Sequence, residues 1–283
     1  MTDLMNSAKS DADNWHWRTA RNIGAGMQLL IRPARPPKGL QSRKPDWWRL
    51  AIGAAIAGAA LLLIALVFDG LAIQSARALP LWIRDSFGQV TEFGRAGWFL
   101  WPLAVVLTAM AALFDRSSRP IQLAIIAVSV RLQFVFLAIA VPSLFVTIVK
   151  RLIGRARPDI SESIDPAHFS LFALRHEFAS FPSGHATTAV AAAVAIGTVW
   201  PRARTALWIY AISIMASRVA LNAHYPTDVL AAAIVGAVGA LMVRHHFAMR
   251  RLGFSIASDR SIIRYRVPSS RRVRAVVRDL LAN

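Results

Sequence analysis

Residues 50–68 (LAIGAAIAGAALLLIALVF) form an uncharged run of 19 between Arg49 and Asp69, and residues 96–114 form a second run of 19 between Arg95 and Asp115. A helix needs about 20 mostly apolar residues to cross a bilayer, so each run has the length of a spanning helix. Residues 121–149 are interrupted only by Arg131. At ~1.5 Å per residue that stretch outruns a ~30 Å hydrocarbon core, and an arginine in mid-bilayer costs about 2.5–3.5 kcal/mol. The third span is therefore expected over 132–149, with Arg131 at its mouth. The later apolar stretches, 186–200, 205–216 and 229–243, reach spanning length only by drawing in Ser, His, Arg or Asp at their ends. Hydropathy thus predicts an all-α polytopic membrane protein with six transmembrane helices, five being the competing count.

The charges fit the same picture. The chain has 283 residues, 55% hydrophobic and 17% charged, against roughly 25% charged in soluble domains. The shortfall argues against a soluble enzyme, and the apolar content excludes a disordered chain, collagen and a coiled coil. There is no cysteine, which removes disulfides, thiolate metal sites and cysteine nucleophiles. Lys and Arg number 33 against 15 Asp and Glu, a net charge of +18. If the N-terminus is inside, segments 1–49, 115–131, 201–204 and 244–283 carry 24 of the 33 cations, so the positive-inside rule places both termini in the cytoplasm. The division expected is a basic tail over 1–49, a six-helix domain over 50–243 and a second basic tail over 244–283. The first apolar run begins at Leu50, unlike a cleaved signal peptide. Trp47 and Trp48 suit an interfacial anchor. Val273, Val276, Val277, Leu280 and Leu281 fall at helical spacing among arginines, as in a helix lying on an anionic inner leaflet. The bilayer is thus the expected partner. Nucleic acid is not, because the basic residues flank apolar runs and no nucleic-acid module is visible.

Three polar clusters interrupt the apolar chain, and six spans put all three at the outer membrane face. Lys150 and Arg157-Pro158 follow the third span; seven residues apart, the two cations share one face if the helix continues past the span. Such a pair suits a phosphate or carboxylate, although a basic cluster after a span also serves topology alone. Pro182-Ser183-Gly184-His185 opens the fourth span. Pro, Ser and Gly before an apolar run mark a helix start, whose free N–H groups attract anions, and His185 would stand beside the anion. Ser217-Arg218 and His224-Tyr225-Pro226-Thr227-Asp228 join spans five and six. Asp228 in the first turn could accept a ring proton of His224, leaving the other nitrogen with a free lone pair, as in an activated nucleophile; a structural His–Asp cap is the alternative.

Taken in order, Lys150-x6-Arg157-Pro158, Pro182-Ser183-Gly184-His185 and Ser217-Arg218-x5-His224-x3-Asp228 resemble the three-part signature of the type 2 phosphatidic acid phosphatase family at all eleven fixed positions. The resemblance covers about residues 50–243. It implies a helical membrane core and a phosphatase site that needs no metal or other cofactor. His224 would be the nucleophile that forms a phosphohistidine, Asp228 its orienting carboxylate, and His185 the acid and then the base. Lys150, Arg157, Ser183, Gly184 and Arg218 would hold the phosphoryl oxygens. The substrate implied is a lipid phosphate or diphosphate at the outer face of a bacterial cytoplasmic membrane: polyprenyl diphosphate, phosphatidylglycerol phosphate, phosphatidate or a lipid A phosphate. The loop 159–181 joins two motifs and is expected to help choose among them. The alternatives are a lipid-to-lipid phosphotransferase of the same fold and a non-catalytic lipid-phosphate binder or transporter. Binding alone would need the cations but not His185, His224 and Asp228 together.

Overall fold

The computed structural model of the chain describes residues 14–35, 46–160, 164–257 and 261–264. The helix expected over 273–281 lies outside them. The described residues are mostly helical: α1 (Trp15–Ile31), α2 (Trp47–Ile64), α3 (Gly70–Arg77), α4 (Leu81–Glu92), α5 (Gly97–Leu113), α6 (Arg119–Ile153), α7 (Gly184–Val199), α8 (Arg204–Ala220) and α9 (Pro226–Met249). An all-α architecture is corrected in one detail. The strands β1 (Phe254–Ile256) and β2 (Ile262–Arg264) pair antiparallel, with Ser255 opposite Ile263. Helix α1 also occupies a stretch that the sequence marked only as basic tail.

Four helical stretches among the described residues have the length and apolar content of a bilayer crossing: Trp47–Arg77, Leu81–Arg116, Arg119–Ile153 and Pro226–Met249. Helix α7 is apolar but shorter. Helix α6 does not begin at the mouth predicted for the third span. It runs unbroken through Arg131, and its 35 residues reach roughly 50 Å at ~1.5 Å per residue, well beyond a ~30 Å core. Arg131 is buried, and its guanidinium donates to the Ala127 carbonyl one turn back.

The chain separates into two compact units, one of Met1–Leu40, Trp101–Phe136 and Arg244–Asn283, the other of Gln41–Leu100 and Leu137–Val243. In the first, Phe134 stacks edge-on against Phe247 and Phe254, with ring centroids 5.6 and 4.8 Å apart. Asn22 and Arg21 on α1 bind the Ala111 carbonyl at 3.0 Å and the Asp115 carboxylate at 2.8 Å.

In the second unit small residues let helices approach closely. Ala189, Val190 and Ala193 of α7 pack on Ala211 and Ile214 of α8, and Ala186 packs on Val229 and Ala232 of α9. A Cβ added at Gly236 would lie 2.6 Å from the Thr187 carbonyl oxygen, and one at Gly239 would lie 2.8 Å from Pro142 Cβ. Such close helix approach is how helices cohere where lipid offers no hydrophobic gain. It brings the ends of α6, α7, α8 and α9 together.

Candidate active site

Each polar cluster sits where a helix starts or stops. Helix α6 ends at Ile153, carrying Lys150 in its last turn. Gly154 follows with φ +63°, and its N–H donates to the Lys150 carbonyl at 3.1 Å. A Cβ there would stand 1.6 Å from the Ser170 carbonyl oxygen, so only glycine makes this turn. The helix therefore does not continue to Arg157, and the expectation that Lys150 and Arg157 share one helical face is corrected. The chain instead runs extended through 155–157, with Ala156 N–H on the His168 carbonyl, Arg157 N–H on the Glu177 carbonyl and Ser180 N–H on the Arg155 carbonyl, at 2.9–3.0 Å.

At the second cluster α7 starts at Gly184 with Ser183 as its N-terminal flank. Ser183 N–H donates to the Asp228 carbonyl at 3.1 Å, which ties the second cluster to the third. Gly184 and Lys150 also meet, since an added Cβ would lie 3.9 Å from Lys150 Nζ. The His185 ring lies against Gly94, where a Cβ would come within 2.9 Å of its Cδ2.

The third cluster is a tight return after α8. Ala223 and His224 both donate N–H to the Arg218 carbonyl at 3.1 and 3.2 Å, with Asn222 in the left-handed region at φ +53°. The Arg218 side chain reaches α4, donating from Nη1 to Thr91 Oγ1 at 2.6 Å. Helix α9 then starts at Pro226, so Asp228 falls in its first turn.

Among the described residues, Ser183 Oγ, Arg157 Nε and Arg218 Nε are buried without a hydrogen-bond partner. Burying donors without acceptors costs about 1–3 kcal/mol each. They belong to the three polar clusters that also hold Lys150, Gly184 and His224, and a phosphoryl group has the acceptor oxygens that such donors lack. No group of three His, Asp or Glu suited to a metal ion occurs among the described residues.

The surroundings of His224 differ from the sequence expectation. Its Nδ1 is 2.8 Å from the Ser180 carbonyl, an acceptor that fixes the proton on Nδ1 and leaves the lone pair on Nε2. Asp228 stands behind, 3.8 Å from Nδ1. Its Oδ2 accepts from Ser180 Oγ at 2.5 Å and from Tyr225 N–H at 2.9 Å, and its Oδ1 accepts from Arg155 Nη1 at 2.5 Å. Complete burial pushes His224 down to about 4; Arg218 and Arg157 add to the effect, while Asp228 opposes it. The ring is neutral at ordinary pH. Burial also holds Arg157 below its usual value, with Asp159 and Asp228 opposing. Arg157 in turn holds the nearby His176 imidazole down.

Three residues near the centre were not singled out by the sequence. Asp69, at the end of a π-helical turn (Ala65–Asp69), has no exposed surface, whereas Leu66, Val67 and Phe68 beside it are exposed. Arg155 joins Asp69 to Asp228, and Ser180 joins Asp228 to His224. A charge directly after an uncharged run, and a third cation inside the first motif, were the available signals.

Residues 131–252 match the model of the PAP2 superfamily. A lipid A 1-phosphatase of Rhizobium johnstonii is 38% identical over 126 residues, 44% of this chain and 52% of that protein. Phosphatidylglycerophosphatase B of Escherichia coli K12 is 39% identical over 61 residues, 20% of this chain and 24% of that protein. The chain spans about half the length of the lipid A 1-phosphatases it matches. A solved transmembrane PAP2-type phosphatidylglycerolphosphate phosphatase of Bacillus subtilis superposes with a TM-score of 0.46 at 20% identity, covering 68% of this chain and 94% of that one. Over residues 131–252, somewhat less than half of its length, the chain is thus similar to the PAP2 superfamily.

Proposed function

We propose that this protein is an integral membrane phosphatase that hydrolyses a lipid phosphate or lipid diphosphate through a phosphohistidine on His224. The observation that carries the reading is the meeting of three motifs around a buried neutral histidine whose neighbours include unpartnered donors. Lys150, Arg157 and Arg218, with Ser183 Oγ and the Gly184 backbone, hold the phosphoryl oxygens. His224 Nε2 attacks phosphorus, forming an N–P bond as the P–O bond to the lipid breaks, and His185 gives its proton to the departing oxygen. Water then loses a proton to His185 and attacks the same phosphorus, and the N–P bond breaks to release phosphate. Donors fixed in advance around the equatorial oxygens stabilise the charge that spreads over them in the transition state.

Six spans with both termini cytoplasmic put the site at the outer face of a bacterial cytoplasmic membrane, at the depth of a lipid headgroup. Among substrates, a lipid A-type 1-phosphate comes first. The lipid A 1-phosphatase relative aligns over 126 residues, against 61 for the phosphatidylglycerophosphatase. A cleft of about 510 Å³ is lined by Arg84, Asp85, Gln89, Glu92 and Leu221, and Glu92 follows Thr91, the partner of Arg218, in the chain. The carboxylates and amide of the cleft suit a headgroup rich in hydroxyls.

The test is phosphate release by purified full-length protein in detergent with chelator present, offered lipid A 1-phosphate, phosphatidylglycerol phosphate, phosphatidate and polyprenyl diphosphate. The expected result is release from at least one, fastest from the first, and none by His224→Ala. Activity in His224→Ala equal to wild type contradicts the mechanism, and loss of all release in chelator contradicts its independence of metal. Phosphorylated lipid in place of inorganic phosphate identifies a transferase.

A further inference from the structure

We propose that Asp69, acting through Arg155, is a positioning residue for His224. The kinetic part of this proposal rests on the phosphatase reading above; the structural part does not. The links run in sequence through buried groups. Asp69 Oδ2 accepts from Arg155 Nη2 at 2.8 Å and from Thr227 Oγ1 at 2.5 Å, and Asp69 Oδ1 accepts from Thr227 N–H at 3.0 Å. Arg155 Nη1 donates to Thr227 Oγ1 at 2.8 Å and to Asp228 Oδ1 at 2.5 Å, while its Nε donates to the Pro166 carbonyl at 3.0 Å. The guanidinium also lies over Tyr225, 4.3 Å from the ring centroid. Asp228 Oδ2 then binds Ser180 Oγ, and the Ser180 carbonyl binds His224 Nδ1.

The geometry assigns Asp69 a task beyond filling space. A guanidinium alone with a buried carboxylate tends to engage both oxygens with two parallel N–H bonds. Here Asp69 holds Nη2, so Arg155 offers Asp228 only Nη1 and binds only Oδ1. Oδ2 is left for Ser180 and the Tyr225 N–H. Without Asp69, Arg155 is free to turn its second nitrogen toward Oδ2, displacing the Ser180 hydroxyl and with it the carbonyl that orients His224. Charge supports the same arrangement. Asp69, Arg155 and Asp228 are each at most 4% exposed, and buried ions persist only when paired and fully hydrogen-bonded.

The test compares the full chain with Asp69→Asn, Arg155→Gln and the double variant in detergent. Asn keeps the shape of Asp69 and removes its charge. On whichever lipid phosphate the wild type hydrolyses, Asp69→Asn is expected to lower kcat by about 10- to 100-fold, the size of a small misplacement of a reacting group. KM is expected to stay within about threefold, since the phosphate-holding cations are unchanged. The double variant is expected to be no slower than Arg155→Gln alone, because Asp69 acts through Arg155. Multiplying losses, or wild-type kcat in Asp69→Asn, would overturn the proposal.

A second readout needs no turnover. With ¹⁵N-labelled histidine, the His224 ring, assigned by its loss in His224→Asn, is expected to be a single Nδ1–H tautomer in the wild type and a mixture in Asp69→Asn. An unchanged ring overturns the clamp even if no lipid is hydrolysed, whereas absence of hydrolysis with a changed ring sinks only the phosphatase reading. If Asp69→Asn does not fold, Thr227→Val removes the hydroxyl shared by Asp69 and Arg155 while keeping both charges; it is expected to mix the tautomers, and an unchanged ring again overturns the proposal.

Discussion

His224 is neutral because protonating it in a fully buried site, beside Arg218 and Arg157, costs more than Asp228 returns. The sign of the resulting pH dependence follows. An unfolded histidine takes up a proton below about 6.5, whereas the folded ring resists until about 4. In that window the unfolded chain binds the extra proton, so stability is lost as pH falls. At 1.36 kcal/mol per unit the His224 share is up to about 3 kcal/mol. Thermal unfolding of wild type against His224→Asn in detergent should show the wild type losing its relative stability between pH 6.5 and 4; parallel curves would mean that the ring is not held neutral. The residues of the three motifs were legible in the sequence because their order and spacing are unusual. Their partners were not. Asp69 reads as the charge that ends an apolar run, Arg155 as one more basic residue after a span, and Ser180 as loop. Each acts through a contact with residues far away in the chain, which local pattern does not encode.

The site is built from helix ends. Gly154 stops α6, Ser183 and Gly184 open α7, and the return at Asn222 closes α8 just before Pro226 starts α9. Apolar runs were legible because burial in lipid demands length and lack of charge. Helix ends were legible only where Pro, Ser or Gly punctuates. The continuation of α6 upstream through Arg131 was not, because a helix that leaves the hydrocarbon core no longer needs apolar residues to persist. The end of α6 at Ile153 turns on the close approach of Gly154 to Ser170. The proposed six-span arrangement puts the segment between α6 and α7 outside and the β1–β2 hairpin inside. The chain has no cysteine, so single cysteines report their side directly. Leu174→Cys, at a position 82% exposed, is expected to react with an impermeant thiol reagent in intact cells, and Ile263→Cys, 51% exposed, only after lysis. The reverse pattern would overturn the orientation.

An apolar chain with a net charge of +18 divides its cations by task. The sequence assigns 24 of the 33 to the cytoplasmic side. Of the nine others, Lys150, Arg157 and Arg218 surround the proposed phosphate position, and Arg155 serves the two buried carboxylates instead. Composition pointed to the membrane and the motif order to a resemblance with the PAP2 superfamily, but neither distinguishes a cation proposed to face phosphate from one that holds buried carboxylates. That distinction needs the path of the chain through 155–157. The account turns on phosphorus passing through His224. The most direct measurement is rapid acid-free quenching of His185→Ala reacting with a ³²P-labelled phosphate ester of a good leaving group, which departs without the proton that His185 would give, so that only the second step, lacking its base, is slowed. It should trap label on the protein as an acid-labile, alkali-stable phosphohistidine that is absent from His185→Ala/His224→Ala. Label that persists in the double variant, or turnover by His185→Ala with no labelled protein at any time, would contradict the account.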